Sequence, residues 1–289
     1  MSPVFKSERH AEAVRQAYAA ALAHWPADVR RVTVPTPAGD THVLVCGRED
    51  APPLVLLHGA QSTAASWQRQ AAAWAPHFRI YAIDLIGEAG PSAPARLPLA
   101  SDAHATWLEA VLDGLGVARA ACFGISLGAW LALDFAVRRP ARVERLALLC
   151  PSGIGRQKHI LPWVLPLLLL GPAGRALVRR RIIGPLPVDP APADRAQFAL
   201  MHAINRGFRS RFGAIPVFGD EALRQLSQPL FVAVGGRDVM LDSQDTCERL
   251  RRLAPSAQVT LLPSERHFVR GQDDAVLAFL RAAWGLFTR

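Results

Sequence analysis

The chain predicts an α/β fold, a mostly parallel sheet covered by helices on both faces, on three observations. Runs rich in Val, Ile and Leu alternate with Ala-rich segments of helical spacing along most of its length. Its 289 residues are 51% hydrophobic and 20% charged, enough to bury one large core plus an insertion. The alternation breaks only once, between Pro151 and about Phe218.

Taken in order, the elements begin with a helix near 8–23, where Ala11, Val14, Ala17, Tyr18 and Leu22 recur at helical spacing. Strands are expected near 31–34, 41–46, 54–57, 79–83, 120–123, 143–149, 230–234 and 259–262. Helices fall between them, near 64–75, 101–115, 127–138, 243–253 and 273–287. In the break, Pro and Gly cluster and the composition shifts to Leu, Arg and Pro. A structureless loop of that length is improbable inside a compact domain. Residues 152–218 therefore read as a helical cap over the sheet's carboxyl edge, where open α/β sheets bind ligands. The core domain is then 1–151 and 219–289. The Leu-rich run 160–170 is either the lipophilic lining or hinge of a lid, or a packing helix for the insertion's own small core.

Charge and composition narrow the partners. The net charge of +9 is mostly arginine, grouped at Arg175, Arg179, Arg180 and Arg181 and at Arg206, Arg209 and Arg211. No aromatic-interleaved basic motif accompanies these groups, so solvated helix faces are favoured over a nucleic-acid surface. The run 160–170, broken by Pro162 and Pro166, is too short to span a bilayer, which argues against stable membrane insertion. Its apolar surface would either cover the site or pair protomers in a homodimer. Four cysteines, Cys46, Cys122, Cys150 and Cys247, are far apart without metal-ligand spacing and read as reduced core thiols. The first residues lack the pattern of a secretory signal, so a cytoplasmic location is expected.

The chemistry centres on Gly124-Ile125-Ser126-Leu127-Gly128, between a predicted strand and a predicted helix. A serine there sits on a sharp, strained turn that projects its hydroxyl above the sheet, and the small glycines allow strand and helix to approach. The plainer alternative is a serine capping an ordinary strand-to-helix turn. A serine nucleophile needs a base held in place by a third group. Of nine histidines, His267 lies in the loop after the last strand, at the same sheet edge as Ser126. The orienting acid is expected at Asp238, after Gly235-Gly236, with Asp242 and Asp245 as competitors and Asp84 at the same edge in a different loop. Oxyanion donors are expected from the backbone N–H groups of Leu127 and of Ala60, which follows His58-Gly59. His58 is expected to pack and hydrogen-bond beneath that loop.

The order Ser126, Asp238, His267, with the His58-Gly59 loop and the Asp84-Leu-Ile-Gly87 segment, resembles the α/β-hydrolase family from about residue 31 to 287. The resemblance implies an eight-stranded sheet with strand 2 antiparallel, a cap after strand 6, and no metal or organic cofactor. Asp84-Leu-Ile-Gly-Glu-Ala-Gly-Pro-Ser92 is one residue longer than a common family pattern, and in this it looks like a subgroup of bacterial carboxylesterases. The expected activity is hydrolysis of a small to medium, lipophilic carboxylic ester through an acyl-enzyme on Ser126. Acyl transfer, thioester or amide cleavage and C–C hydrolysis on the same residues remain open, as does a weakly catalytic ligand-binding protein of this fold. A serine at position 126 argues against the haloalkane dehalogenase and epoxide hydrolase members, which use aspartate there.

Overall fold

A computed structural model describes residues 4–185, 187–211 and 213–282. Its elements run α1 (Glu8–Leu22), β1 (Arg30–Val34), β2 (Thr41–Cys46), β3 (Pro53–Leu57), α2 (Gln68–Trp74) and β4 (Arg79–Ile83). They continue through α3 (Ala103–Gly114), β5 (Ala120–Ile125), α4 (Leu127–Arg138) and β6 (Val143–Leu149), then α5 (Leu161–Leu168), α6 (Gly171–Ile183), α7 (Pro192–Gly207) and α8 (Asp220–Arg224). The chain closes with β7 (Leu230–Gly235), α9 (Ser243–Leu253), β8 (Gln258–Leu262) and α10 (Asp273–Arg281). Every expected strand is present to within two residues. The helix expected over 64–75 divides into a 3-10 turn at Ala64–Trp67 followed by α2. Residues 283–287 of the last expected helix lie outside the described residues.

The eight strands form one sheet in the order β1-β2-β4-β3-β5-β6-β7-β8. β2 is antiparallel to both neighbours, β1 and β4, while β3 to β8 are joined in parallel. Strands covered on both faces read as continuous apolar runs, and β3, β5 and β7 are buried over nearly their whole length. Alternate residues then supply opposite layers. Val55, Leu57 and Cys122 enter one core with α3 and α4, whereas Leu54, Leu56 and Phe123 enter the other with Trp67 and Trp74.

Helix α4 runs from Leu127 beneath the sheet's centre and is buried from Leu127 through Ala136. Its approach to β3 depends on Gly128, because a Cβ there would collide with the backbone carbonyls of Leu57 and His58. The helices α5, α6 and α7 all lie between β6 and β7, where the strand rhythm fails. α7 buries Leu200 and Ile204 in the same core as Val14 and Tyr18 of α1. α5 has no buried residue and leaves Leu161, Leu165 and Leu168 exposed, so the run does not form a small core of its own. Among the described residues no helix is long and apolar enough to cross a membrane. The four cysteines are free and buried.

Gly128→Ala is expected to destabilise the fold by about 2 kcal/mol, since a rigid backbone faces the added methyl. Urea unfolding followed by circular dichroism measures it, and an unchanged midpoint would contradict this account of the β3–α4 contact.

Candidate active site

Ser126 joins β5 to α4 with φ 53° and ψ −108°, a backbone region that side chains rarely enter. Such a residue carries about 1–3 kcal/mol of strain and persists only where its surroundings over-determine it. Here the Ser126 N–H donates to the Leu149 carbonyl at 2.9 Å, and the Ser126 carbonyl accepts from the Trp130 N–H at 3.0 Å. The turn is thus tied to β6 on one side and to its own helix on the other.

Two loops from the same sheet edge reach the serine. His267, after β8, places Nε2 2.9 Å from Ser126 Oγ and Nδ1 2.7 Å from Asp238 Oδ2. A carboxylate only accepts, so Nδ1 carries the proton and Nε2 is left to accept from the hydroxyl. Asp238 is 2% exposed. Its other oxygen, Oδ1, accepts from the Met240 and Leu241 N–H groups at 2.7 and 3.0 Å, and its backbone carbonyl accepts from Lys158 Nζ at 2.7 Å. Asp242 does not reach the histidine: its side chain caps α9 by accepting from the Asp245 N–H, and Arg156 pairs with both. Gly235 is required by close approach, because a Cβ there would meet the backbone of Glu265 and Arg266. This keeps the acid loop against the base loop.

The histidine loop is also tied to the end of α6. Its last turn leaves carbonyls without intrahelical donors. The His267 N–H donates to Ile182 O at 3.2 Å, Arg266 Nη1 to Arg181 O at 2.9 Å and Arg270 Nη2 to Ile183 O at 2.8 Å. Cations at a helix carboxyl end also complement its dipole. Lys158, Arg266 and Arg270 were not legible as site residues, since each acts through a backbone carbonyl distant in sequence.

Leu127 opens α4, so its N–H is among those a helix leaves unpaired. The Ala60 N–H has no acceptor among the described residues, and Gly59 brings this loop to the elbow, its Cβ position lying 3.5 Å from Ile125 O. Beneath it, His58 Nε2 accepts from the Leu85 N–H at 3.0 Å, so Nδ1 is the donor to Gly59 O at 2.8 Å. Burial pushes the His58 pKa down to about 4, which keeps the ring neutral. Asp84 is fully buried, accepting from Tyr18 Oη at 2.6 Å and from the Ala64 N–H at 2.8 Å, and burial pushes its pKa up to about 7. Nothing local in the sequence links Tyr18 with Asp84.

Among the described residues, Cys150, Asp238 and His267 are the group of three possible metal ligands, with donor atoms within 4.8 Å. They do not fit a resident metal. Ring and carboxylate are hydrogen-bonded to each other, and burial pushes the thiol up to about 12.

A strained serine above a mostly parallel sheet, with a buried His–Asp pair returning from later loops, defines the class of α/β hydrolases. The family model described as alpha/beta hydrolase fold matches residues 52–179. Carboxylesterase YbfK of Bacillus subtilis (strain 168) is 30% identical over 274 residues, covering 92% of each chain. The crystal structure of carboxylesterase CesB (YbfK) from Bacillus subtilis superposes with a TM-score of 0.81 at 28% identity, over 95% of this chain and 99% of that one. That of naproxen esterase (carboxylesterase NP) from Bacillus subtilis gives 0.76 at 28% identity, over 94% of each. The chain belongs to the α/β-hydrolase fold family.

The buried acid gives a signed pH dependence. Because the folded pKa of Asp84 is raised, its favourable contribution is complete below its unfolded value and is lost as pH rises through about 7. Urea unfolding of wild type and Asp84→Asn should therefore show the wild-type advantage shrinking from about pH 4.5 to about pH 8. A constant difference would contradict the burial of an ionisable group here.

Proposed function

We propose that this protein is a carboxylesterase that works through an acyl-enzyme on Ser126. The observation that carries the reading is the hydrogen-bonded line from Asp238 through His267 to Ser126, at 2.7 and 2.9 Å. Ser126 Oγ attacks the ester carbonyl while His267 Nε2 takes its proton. Asp238, held by the Met240 and Leu241 N–H groups, stabilises the imidazolium. The new oxyanion accepts from the Ala60 and Leu127 N–H groups, each such donor being worth about 3 kcal/mol in the transition state. Collapse breaks the C–O bond, and the imidazolium returns the proton to the departing alcohol. Water repeats the sequence: His267 takes its proton, the acid leaves, and Ser126 regains its hydrogen. The two Bacillus carboxylesterases support an ester as substrate.

Residues 152–218 act in this reading as a cap on the core domain of 1–151 and 219–289. Support comes from the Ile182 carbonyl that receives the His267 N–H and from the exposed leucines of α5, which suit a lipophilic ester. The four thiols, buried and free, suit a cytoplasmic location.

Ser126→Ala should abolish turnover of p-nitrophenyl esters and capture by a fluorophosphonate probe, leaving the thermal midpoint near that of wild type. Asp238→Asn should lower kcat by about three to four orders of magnitude. Turnover surviving Ser126→Ala would refute the reading. Replacing Leu165 and Leu168 together by Ser should lower kcat/KM for octanoyl relative to acetyl esters by roughly tenfold. An unchanged ratio removes α5 from substrate binding.

A further inference from the structure

Glu88 is a buried carboxylate outside the serine, histidine and aspartate line. It is 4% exposed, and burial pushes its pKa up to about 7. A carboxyl group in such a place is unfavourable unless its hydrogen bonds require it. The partner it holds is the Gln61 N–H, at 2.8 Å from Oε2. Among the described residues Gln61 is one of three non-glycine residues with positive φ, at 56°, a conformation costing about 1–2 kcal/mol for an L side chain. The loop therefore needs an outside restraint to keep its shape.

The restraint falls on both sides of Ala60. A trans peptide is planar, so fixing its carbonyl also fixes the N–H that points the opposite way. His58 Nδ1 holds the Gly59 carbonyl at 2.8 Å, which orients the Gly59–Ala60 unit and with it the Ala60 N–H. Glu88 holds the N–H of the next unit, Ala60–Gln61. With one unit held from each side, Ala60 has little freedom to turn. Glu88 also lines a small pocket with Leu127 and Arg211. The half-buried Arg211 donates Nη1 to Leu97 O at 2.8 Å and is a nearby positive charge for Glu88, not the freely solvated arginine its sequence context suggested.

We propose that Glu88 is a positioning residue for the oxyanion hole, holding the Gln61 N–H so that the neighbouring Ala60 N–H is aimed where oxyanion charge develops. This rests on the reading of Ser126 as nucleophile and of Ala60 as donor. Donors already oriented before reaction stabilise the transition state without reorganisation. Glu88 touches no reacting atom. Its effect should appear in transition-state affinity and not in substrate binding.

The test compares wild type with Glu88→Gln, which keeps a carbonyl acceptor, and with Glu88→Leu and Glu88→Ala, which remove it. For a p-nitrophenyl ester, the Leu and Ala variants should lose roughly 30- to 100-fold in kcat with KM within about threefold, while Gln stays within about threefold of wild type. A trifluoromethyl ketone, which forms an anionic adduct with the serine, should bind the Leu and Ala variants more weakly by a similar factor. The matching methyl ketone should bind all four proteins alike. Thermal midpoints and circular dichroism restrict the comparison to folded protein, and reading two truncations keeps the test available if one does not fold. Wild-type kcat in both truncations, an equal loss in Glu88→Gln, or equal weakening of both ketones would overturn the proposal. Fluorophosphonate capture at Ser126 in wild type separately checks the parent reading, whose failure would appear there before any Glu88 variant is made.

Discussion

A serine backbone held at φ 53° between a buried strand and a buried helix is the constraint on which this site depends. Relaxing that angle would require β5 or α4 to move, and both are packed on all sides. The fold thereby keeps the hydroxyl clear of its own helix and in reach of His267 Nε2, 2.9 Å away. The strain is local, about 1–3 kcal/mol, and is offset by the apolar burial around it. Gly128 belongs to the same constraint, since any larger residue would push α4 from β3.

Around the elbow, loops are secured by side chains brought from distant parts of the chain. Asp84 joins α1 to the start of the segment at Ala64, His58 joins the end of β3 to the end of β4, and Asp238 receives two backbone donors from its own loop. Inside a protein such polar links are strong when satisfied and costly when broken. Burial disfavours the charged form of each, so it shifts the acids and the histidine in opposite directions. It raises the acids Asp84 and Glu88 to about 7 and lowers His58 to about 4. The neutral imidazole can therefore accept on one nitrogen and donate on the other.

The helices between β6 and β7 divide into three environments. α7 shares its core with the amino-terminal helix, and α6 presents terminal carbonyls to the histidine loop. α5 keeps leucines at the surface, where the Arg181 guanidinium stacks over Trp163. α7 is held by apolar packing, whereas α6 is tied to the histidine loop by hydrogen bonds to its terminal carbonyls.

The sequence by itself determined the order of strands and helices, the antiparallel second strand through its family likeness, and the serine at the turn. Periodicity and a five-residue motif are local, so they survive without coordinates. The loop sequence favours Asp238 over Asp242 but leaves both open, and only the tertiary structure brings Asp238 to His267 while Asp242 caps α9. Tyr18 on Asp84, Glu88 on the Gln61 N–H and Arg270 on the Ile183 carbonyl had no local pattern at all. Each depends on a hydrogen bond between groups that only the packed sheet edge brings together, and directional contacts between distant residues leave no period in the chain.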